Sequence, residues 1–253
     1  MPLDVGGWVR SPLAPALDLP PPFRAVALRE VGDAFAHAIK IAPDRGAGTL
    51  VHVGRFDVAE FAVVMEPEEP LRTARRAIYA GLVALADALP AHAPPEKTIS
   101  FDWPDAVRVD GGLVGGARLA WPPDADESKP PQWLVFGAMI RTTAASEQEP
   151  GLHPLTTALD AEGFVLETGR LLESFARHLM ITIAAWQHNG FEKVAERYLS
   201  RLTPEEENVW RDIDSNGDLM VRRAARSTAD RRNAVSMLAT PSWLDPATGS
   251  PLL

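Results

Sequence analysis

Two periodicities alternate along the chain. Val- and Phe-rich runs at 49–54 and 60–65 predict two strands, closed by Pro67 and Pro70. Leu71, Ala74, Ile78, Leu82, Leu85 and Leu89 then recur at helical spacing, with Arg72, Arg75 and Arg76 off that face, and predict one helix over 71–89. Pro90, Pro94 and Pro95 end it. Upstream, Val31, Phe35, Ala38 and Ile39 share a face of a short helix over 31–41, which Pro43 is expected to stop. Strands are predicted at 98–103, 106–109 and 114–121, with Asp110-Gly111-Gly112 as a hairpin turn because glycine accepts positive φ. The nearly continuous apolar run 132–140 predicts a strand buried on both faces. Leu171, Leu172, Phe175, Leu179, Ile183 and Trp186 stripe a long helix over 168–188, capped by Asn189-Gly190. A shorter helix over 191–202 follows, then Thr203 and Glu206 as a capping box and a hairpin around Asn216-Gly217.

This order predicts an α+β fold: a mixed, mainly antiparallel sheet backed by the helices near 71–89 and 168–188. Five prolines between positions 12 and 22 lay residues 1–24 out as an extended arm. Residues 25–189 are expected to form the main domain and 190–253, more basic after Arg211, a small C-terminal one. In 253 residues, 46% are hydrophobic, enough for a sizeable core. The net charge of −9 repels phosphates and anionic lipid, so neither nucleic acid nor membrane is an expected partner. The absence of cysteine excludes disulfides, thiolate zinc sites and a cysteine nucleophile. No segment reads as a signal peptide or membrane span, and the expected location is the cytoplasm.

Between Phe101 and Gly116 the chain runs Trp103-Pro104-Asp105-Ala106, a short strand, a turn, then Leu113-Val114-Gly115-Gly116. This resembles the biotin protein ligase signature: Trp-Pro-Asn-Asp, a strand, a turn and Lys-hydrophobic-Gly-Gly. Other pieces follow the family's order. Asp44-Arg45-Gly46-Ala47-Gly48-Thr49 stands where the family has its Gly-Arg-Gly-rich ligand loop, and 61–67 resembles the strand after it. The segment 135–141, with Gly137 and Arg141, resembles the strand ending Gly-x-Gly-Ile-Asn, and 155–159 the Ala-Thr-Ser-Leu turn. Residues 190–202 and 212–219 resemble the end of the last long helix and the hairpin of a C-terminal cap. Over 25–222 the chain thus resembles the biotin/lipoate protein ligase family, of the class II synthetase-like fold. Too few residues precede the first helix for the family's DNA-binding module, so a repressor role is not expected.

The resemblance implies ATP- and Mg2+-dependent activation of biotin, lipoate or octanoate as an acyl-adenylate, followed by transfer to a lysine of a biotinyl or lipoyl carrier domain. Such chemistry gathers negative charge and needs cations at the reacting centre. Here the charge-handling positions differ. Leu113 stands for the family's lysine, Asp105 for Asn, Ala106 for Asp, and Arg141 for Asn, while the ligand loop has Asp44 in place of a glycine. Two readings follow. In one, the chain is a ligase with a relocated cation: Arg141 and Asp105 are the catalytic candidates, with Arg45 or Lys97 as other sources of charge. In the other, it is a non-catalytic relative that binds an acyl or biotinyl ligand or a carrier domain. Either way the resemblance places a ligand pocket over the sheet, walled by Arg45, Gly46, Gly48, Trp103, Leu113, Gly115, Gly116 and Gly137. Leu113 makes this pocket more apolar than a ligase's, and the missing cysteine argues against a thioester-forming octanoyltransferase.

Weaker signals remain. Asp212-Ile213-Asp214-Ser215-Asn216-Gly217 starts like a calcium loop, but Arg223 stands at its twelfth position and a plain turn is expected. The six histidines, His37, His52, His92, His153, His178 and His188, have no metal-ligand spacing; His52 alone is a candidate for ligand contact. Asp124, Asp126 and Glu127 read as a solvated loop. Arg222, Arg223, Arg226, Arg231 and Arg232 form the densest basic patch, where an acidic carrier domain could dock.

Overall fold

The structure is a computed structural model, which describes residues 16–30, 32–144, 155–204, 209–223 and 228–252. Val31, His153, Glu206 and Arg226 lie outside these residues, as do positions 1–15 of the expected arm. The main sheet has seven strands in the order β1-β2-β3-β7-β6-β5-β4. They are β1 (Arg24–Leu28), β2 (Thr49–Val53), β3 (Val58–Met65), β4 (Ile99–Asp102), β5 (Ala106–Val109), β6 (Gly112–Ala120) and β7 (Leu134–Arg141). Among the described strand pairs of this sheet, β1–β2 is parallel and the others are antiparallel. The fold is therefore α+β with a mixed, mainly antiparallel sheet. A second sheet, β10-β9-β8, is built from β8 (Val209–Ile213), β9 (Leu219–Arg223) and β10 (Asp230–Arg232).

Side chains alternate across a strand, so the central pair β3–β7 feeds two cores. Phe61, Val63, Phe136, Ala138 and Ile140 point to one face and pack with helices α3 (Ala77–Ala88) and α4 (Thr168–Asn189). Phe175 of α4 lies 4.6 Å from Phe61 and 5.7 Å from Phe136, ring centre to ring centre. Ala62, Val64 and Val135 point to the other face, under helix α1 (Ala34–Arg45). All eight residues of β7 are buried, as its unbroken apolar run requires.

Several boundaries differ from the pattern. Helix α1 runs past Pro43 to Arg45, because a proline in the last turn forfeits one bond near an end that Gly46 closes onto the Ala42 carbonyl. The helix expected over 71–89 is two: α2 (Leu71–Ala74) and α3, separated at Arg75-Arg76. Arg75 stacks on Trp121 and Arg76 on Phe191, and these contacts hold the corner. Helix α5 (Glu192–Leu199) stops before Leu202, whose segment instead pairs with Phe101. The expected proline-rich arm runs at its last residue into β1, a short strand without its own hydrophobic pattern, and before it Asp18 is tied to Glu173 and Arg177 of α4. Strand β10 and helix α6 (Ala234–Leu238) carry no clear periodicity either; Asp218 binds the first N–H of α6 and the Arg231 guanidinium.

The described residues after 190 pack onto the main sheet and its helices at several points. Tyr79 of α3 is buried; its hydroxyl donates to the Gly217 carbonyl at 2.5 Å and accepts from the Trp103 indole at 3.0 Å. Tyr79→Phe leaves the buried Gly217 carbonyl and the half-buried Trp103 indole N–H without this partner and is expected to destabilise the protein by about 2 kcal/mol in urea denaturation. Unchanged stability would mean that the hydroxyl does not anchor the second sheet.

Candidate functional site

On the α1 side of the sheet, α1 covers only the part near Gly137, where the Phe35 ring lies so close that a Cβ on Gly137 would meet it at 2.4 Å. Beyond α1 the same face has a floor of Val58, Ala106, Leu113, Gly116 and Met139. A bulge makes that floor. Val107 pairs with Gly115 but Arg108 pairs with Leu113, so Val114 is an extra residue and the alternation reverses. Leu113 and Gly116 thereby share one face while Val114 joins the opposite core. Gly115, at φ 148°, is the hinge of this reversal.

The rim is ionic. In the β2–β3 turn, Arg55 binds Asp57 through two hydrogen bonds of 3.1 and 2.9 Å. Phe56 beside it is 83% exposed. Glu60 is buried, accepts the α1 amide of Ala34 at 2.7 Å and lies 3.8 Å from Arg55. Burial raises its carboxyl pKa. Arg118 stacks over Phe35 at 4.4 Å and approaches Asp33 at 3.8 Å. Arg141, at the end of β7, is buried, and its guanidinium donates to the carbonyl of Pro251 at 2.6 Å.

A residue from far along the chain lies on the floor. Trp243 is fully buried against Val58, Ala106, Leu113 and Met139. A Cβ on Gly116 would stand 2.4 Å from its indole nitrogen. Asp105 lies alongside, 1% exposed. Neither Asp105 Oδ2 nor Trp243 Nε1 has a hydrogen-bond partner. Burial pushes the Asp105 carboxyl up to about 7, offset in part by the indole N–H directed toward it.

The predicted site residues divide into two groups. Asp105, Leu113, Gly115, Gly116 and Arg141 meet at this face and its edge. The others do not reach it. Arg45, Gly46 and Gly48 lie at the far end of the sheet, since Gly48 bonds to Val64 whereas Arg141 pairs with Val58. The six residue steps from Val58 to Val64 separate them by about 20 Å. Trp103 packs against the opposite core, and Gly137 is used by Phe35. His52 pairs with Phe61 on the α4 side. Lys97 is engaged by Asp110 and Glu162. The sequence reading passed over Arg55, Asp57, Glu60 and Arg118. Gly54-Arg55 was the available signal, a Gly-Arg pair between two strands, outweighed by the two glycines of the 44–49 loop. That loop instead borders an open cleft of about 860 Å³, whose walls include Gly48, Val63, Met65, Ile183 and Trp186. In the second sheet, Arg222 stacks on Trp210, Arg223 pairs with Asp230, and Arg231 pairs with Asp214 and Asp218. The Asp212–Gly217 stretch forms a turn in which Asp214 accepts from the amides of Asn216 and Asp218. Among the described residues, no helix is long and apolar enough to cross a membrane, and no cluster of three acidic or imidazole side chains could hold a metal.

A mainly antiparallel sheet with helices packed on both faces, and one face edged by Arg55, Arg118 and Arg141, defines an α+β protein. The chain belongs to the biotin/lipoate A/B protein ligase family, whose model matches residues 19–200. It is 25% identical over 201 residues to the biotin–[acetyl-CoA-carboxylase] ligase of Paracoccus denitrificans, covering 72% of this chain and 79% of that one. A biotin protein ligase-like protein of unknown function from Silicibacter sp. TM1040 superposes with a TM-score of 0.74 at 28% identity, over 88% of this chain and 99% of its own. The Aquifex aeolicus biotin protein ligase, solved with biotin and ATP, shares the fold at 14% identity and a TM-score of 0.56, over 83% of this chain and 98% of its own.

Proposed function

We propose that the face floored by Leu113, Gly116 and Met139 is the site of a biotin- or lipoyl-type acid, and that the chain binds this acid, free or on a carrier domain, without adenylating it. The observation that carries this reading is Leu113. It holds the position of the family's lysine, yet it is buried in an apolar cluster with Trp243. No charge can be brought to an α-phosphorus from there. The cations bordering the face are also committed: Arg55 and Arg118 to carboxylates, Arg141 to backbone carbonyls. The residues present therefore do not fit ATP with Mg2+ in this arrangement. The relatives support the acid class, since the Aquifex aeolicus protein is solved with biotin and the Paracoccus denitrificans protein is a biotin ligase.

One observation favours the ligase reading. Arg141 is held by the carbonyls of Pro251 and Leu252, and among the described residues the carboxylate acting on it, Asp57, does so at longer range and is already bonded to Arg55. Two measurements separate the readings: biotin, lipoate and octanoate binding by calorimetry, and ATP–pyrophosphate exchange with each acid. Binding of one acid with no exchange is the expected result. Exchange above background that disappears in Arg141→Ala would establish an adenylating enzyme instead, and no binding of any acid would overturn both.

A further inference from the structure

The indole of Trp243 lies where the proposed function places the ligand. We infer that Trp243 is a displaceable internal occupant of that site, so that the C-terminal segment and a ring-bearing acid compete for the glycine-floored face. The inference rests on the proposed function for the identity of the competitor, not for the cover itself.

Three observations point the same way. Position 116 has no side chain, and the indole uses that space, with Nε1 2.4 Å from where a Cβ would be. A planar ring can therefore lie directly on the strand backbone. Second, Trp243 is completely buried but leaves its N–H without a partner, beside a carboxyl oxygen of Asp105 that also lacks one. Buried polar groups are almost always satisfied, and a buried indole N–H usually finds an acceptor. Here the pair is close to complementary but unmade, so a ring with a better-placed N–H donor would be the preferred occupant.

Third, the segment that carries Trp243 is hydrogen-bonded largely within itself. After α6 the described residues contain no further helix or paired strand. The turn from 245 to 250 closes on itself: Asp245 accepts from Ala247 and Thr248 through its side chain and exchanges backbone bonds with Ser250 and Gly249. The Leu252 amide returns to the Trp243 carbonyl at 2.8 Å. To the edge of the sheet the segment is held by the Trp243 ring, by the partly buried Leu244 packed beside it, and by the bonds from Arg141 to Pro251 and Leu252. Lifting it would expose the floor and release the Arg141 guanidinium in one movement. A ligand carboxylate could then replace the carbonyls with a charge-assisted pair. The chemical class that fits is an acid with a compact ring carrying an N–H donor, the donor toward Asp105 and the carboxylate toward Arg141. An all-hydrocarbon tail would leave Asp105 unpaired.

The chain has no cysteine, so a thiol placed at Met139, 4% exposed under the indole, reports opening on its own. Met139→Cys is expected to react slowly with N-ethylmaleimide, and at least about 10-fold faster once Trp243→Ala is added, because access is limited by the closed fraction. Trp243→Leu serves if circular dichroism shows the alanine variant unfolded. Biotin is expected to slow labelling in the double variant and to bind single Trp243→Ala at least about 10-fold more tightly than the unmodified chain. Equal labelling with and without Trp243 would overturn the inference, since the indole would not be the cover. Faster labelling with equal biotin affinity in both chains would overturn the competition and leave the proposed function standing. Faster labelling with no binding of biotin, lipoate or octanoate to either chain would overturn the acid site itself, and the competition with it.

Discussion

Asp105→Asn is expected to stabilise the protein at pH 8 and to change little below about pH 4. The carboxyl is buried beside Gly116 and Trp243, and burial holds it at about 7. In the unfolded chain it returns to the ordinary carboxylate range. Because its folded pKa is the higher one, the folded state binds the proton more tightly. Its stabilising contribution is present below the unfolded pKa and is lost as pH rises through about 7. Keeping the carboxylate ionised in this place then costs up to about 4 kcal/mol. Asparagine removes the charge and keeps an oxygen to face the Trp243 indole. It is also the residue the family signature has at this position. Denaturant midpoints between pH 4 and 8 should fall with pH in the unmodified chain and stay flatter in the variant. Parallel curves would show that Asp105 does not carry the buried charge.

Gly115→Ala should be among the most damaging single methyl additions in the chain. A Cβ there would lie 2.0 Å from the Met139 carbonyl oxygen, a backbone atom of the paired strand that cannot turn aside. Its φ of 148° is also one that side chains rarely adopt. Collision and strain together should cost about 3 kcal/mol or more. The bulge would be forced out, and with it the reversal that puts Leu113 beside Gly116. Gly111→Ala is the control. It too sits at positive φ, 85°, but a Cβ there has nothing within 4 Å, so it should cost only about 1 kcal/mol. Similar losses in the two variants would show that the approach of β6 to β7 is not what fixes Gly115. The same urea series read at the floor, through the reactivity of Met139→Cys, would separate a lost bulge from a general loss of stability.

These effects converge on a region that the chain's linear pattern describes only in part. Strands β2 to β7 and the long helix α4 were legible, because each buries enough apolar surface to leave its period in the sequence. Leu171, Leu172, Phe175 and Leu179, for instance, are all buried along one stripe of α4. The α+β class and the family follow from those elements and from the Trp103–Gly116 segment. Strand β1 was not legible, since its residues are held by pairing with β2 and are largely exposed. Nor was the break at Arg75-Arg76, where two aromatic rings from distant segments decide the path.

The site divides along the same line. Asp105, Leu113, Gly115 and Gly116 were found because one local motif carries them, and Arg141 because it ends a strand of clear pattern. Which arginine-bearing turn faces them was not, because 44–49 and 54–57 are both short, glycine-containing turns on β2. Only the pairing of β3 with β7 decides that one lies beside Arg141 and the other about 20 Å away. The presence of Trp243 on the floor was beyond any local reading: 127 positions separate it from Gly116 in the sequence. The sequence by itself determined the elements, the fold class and the family, because those rest on periodicity and short-range motifs. The tertiary structure alone decided which charges meet, which are cancelled and what covers the face, because those depend on contacts between residues far apart in the chain.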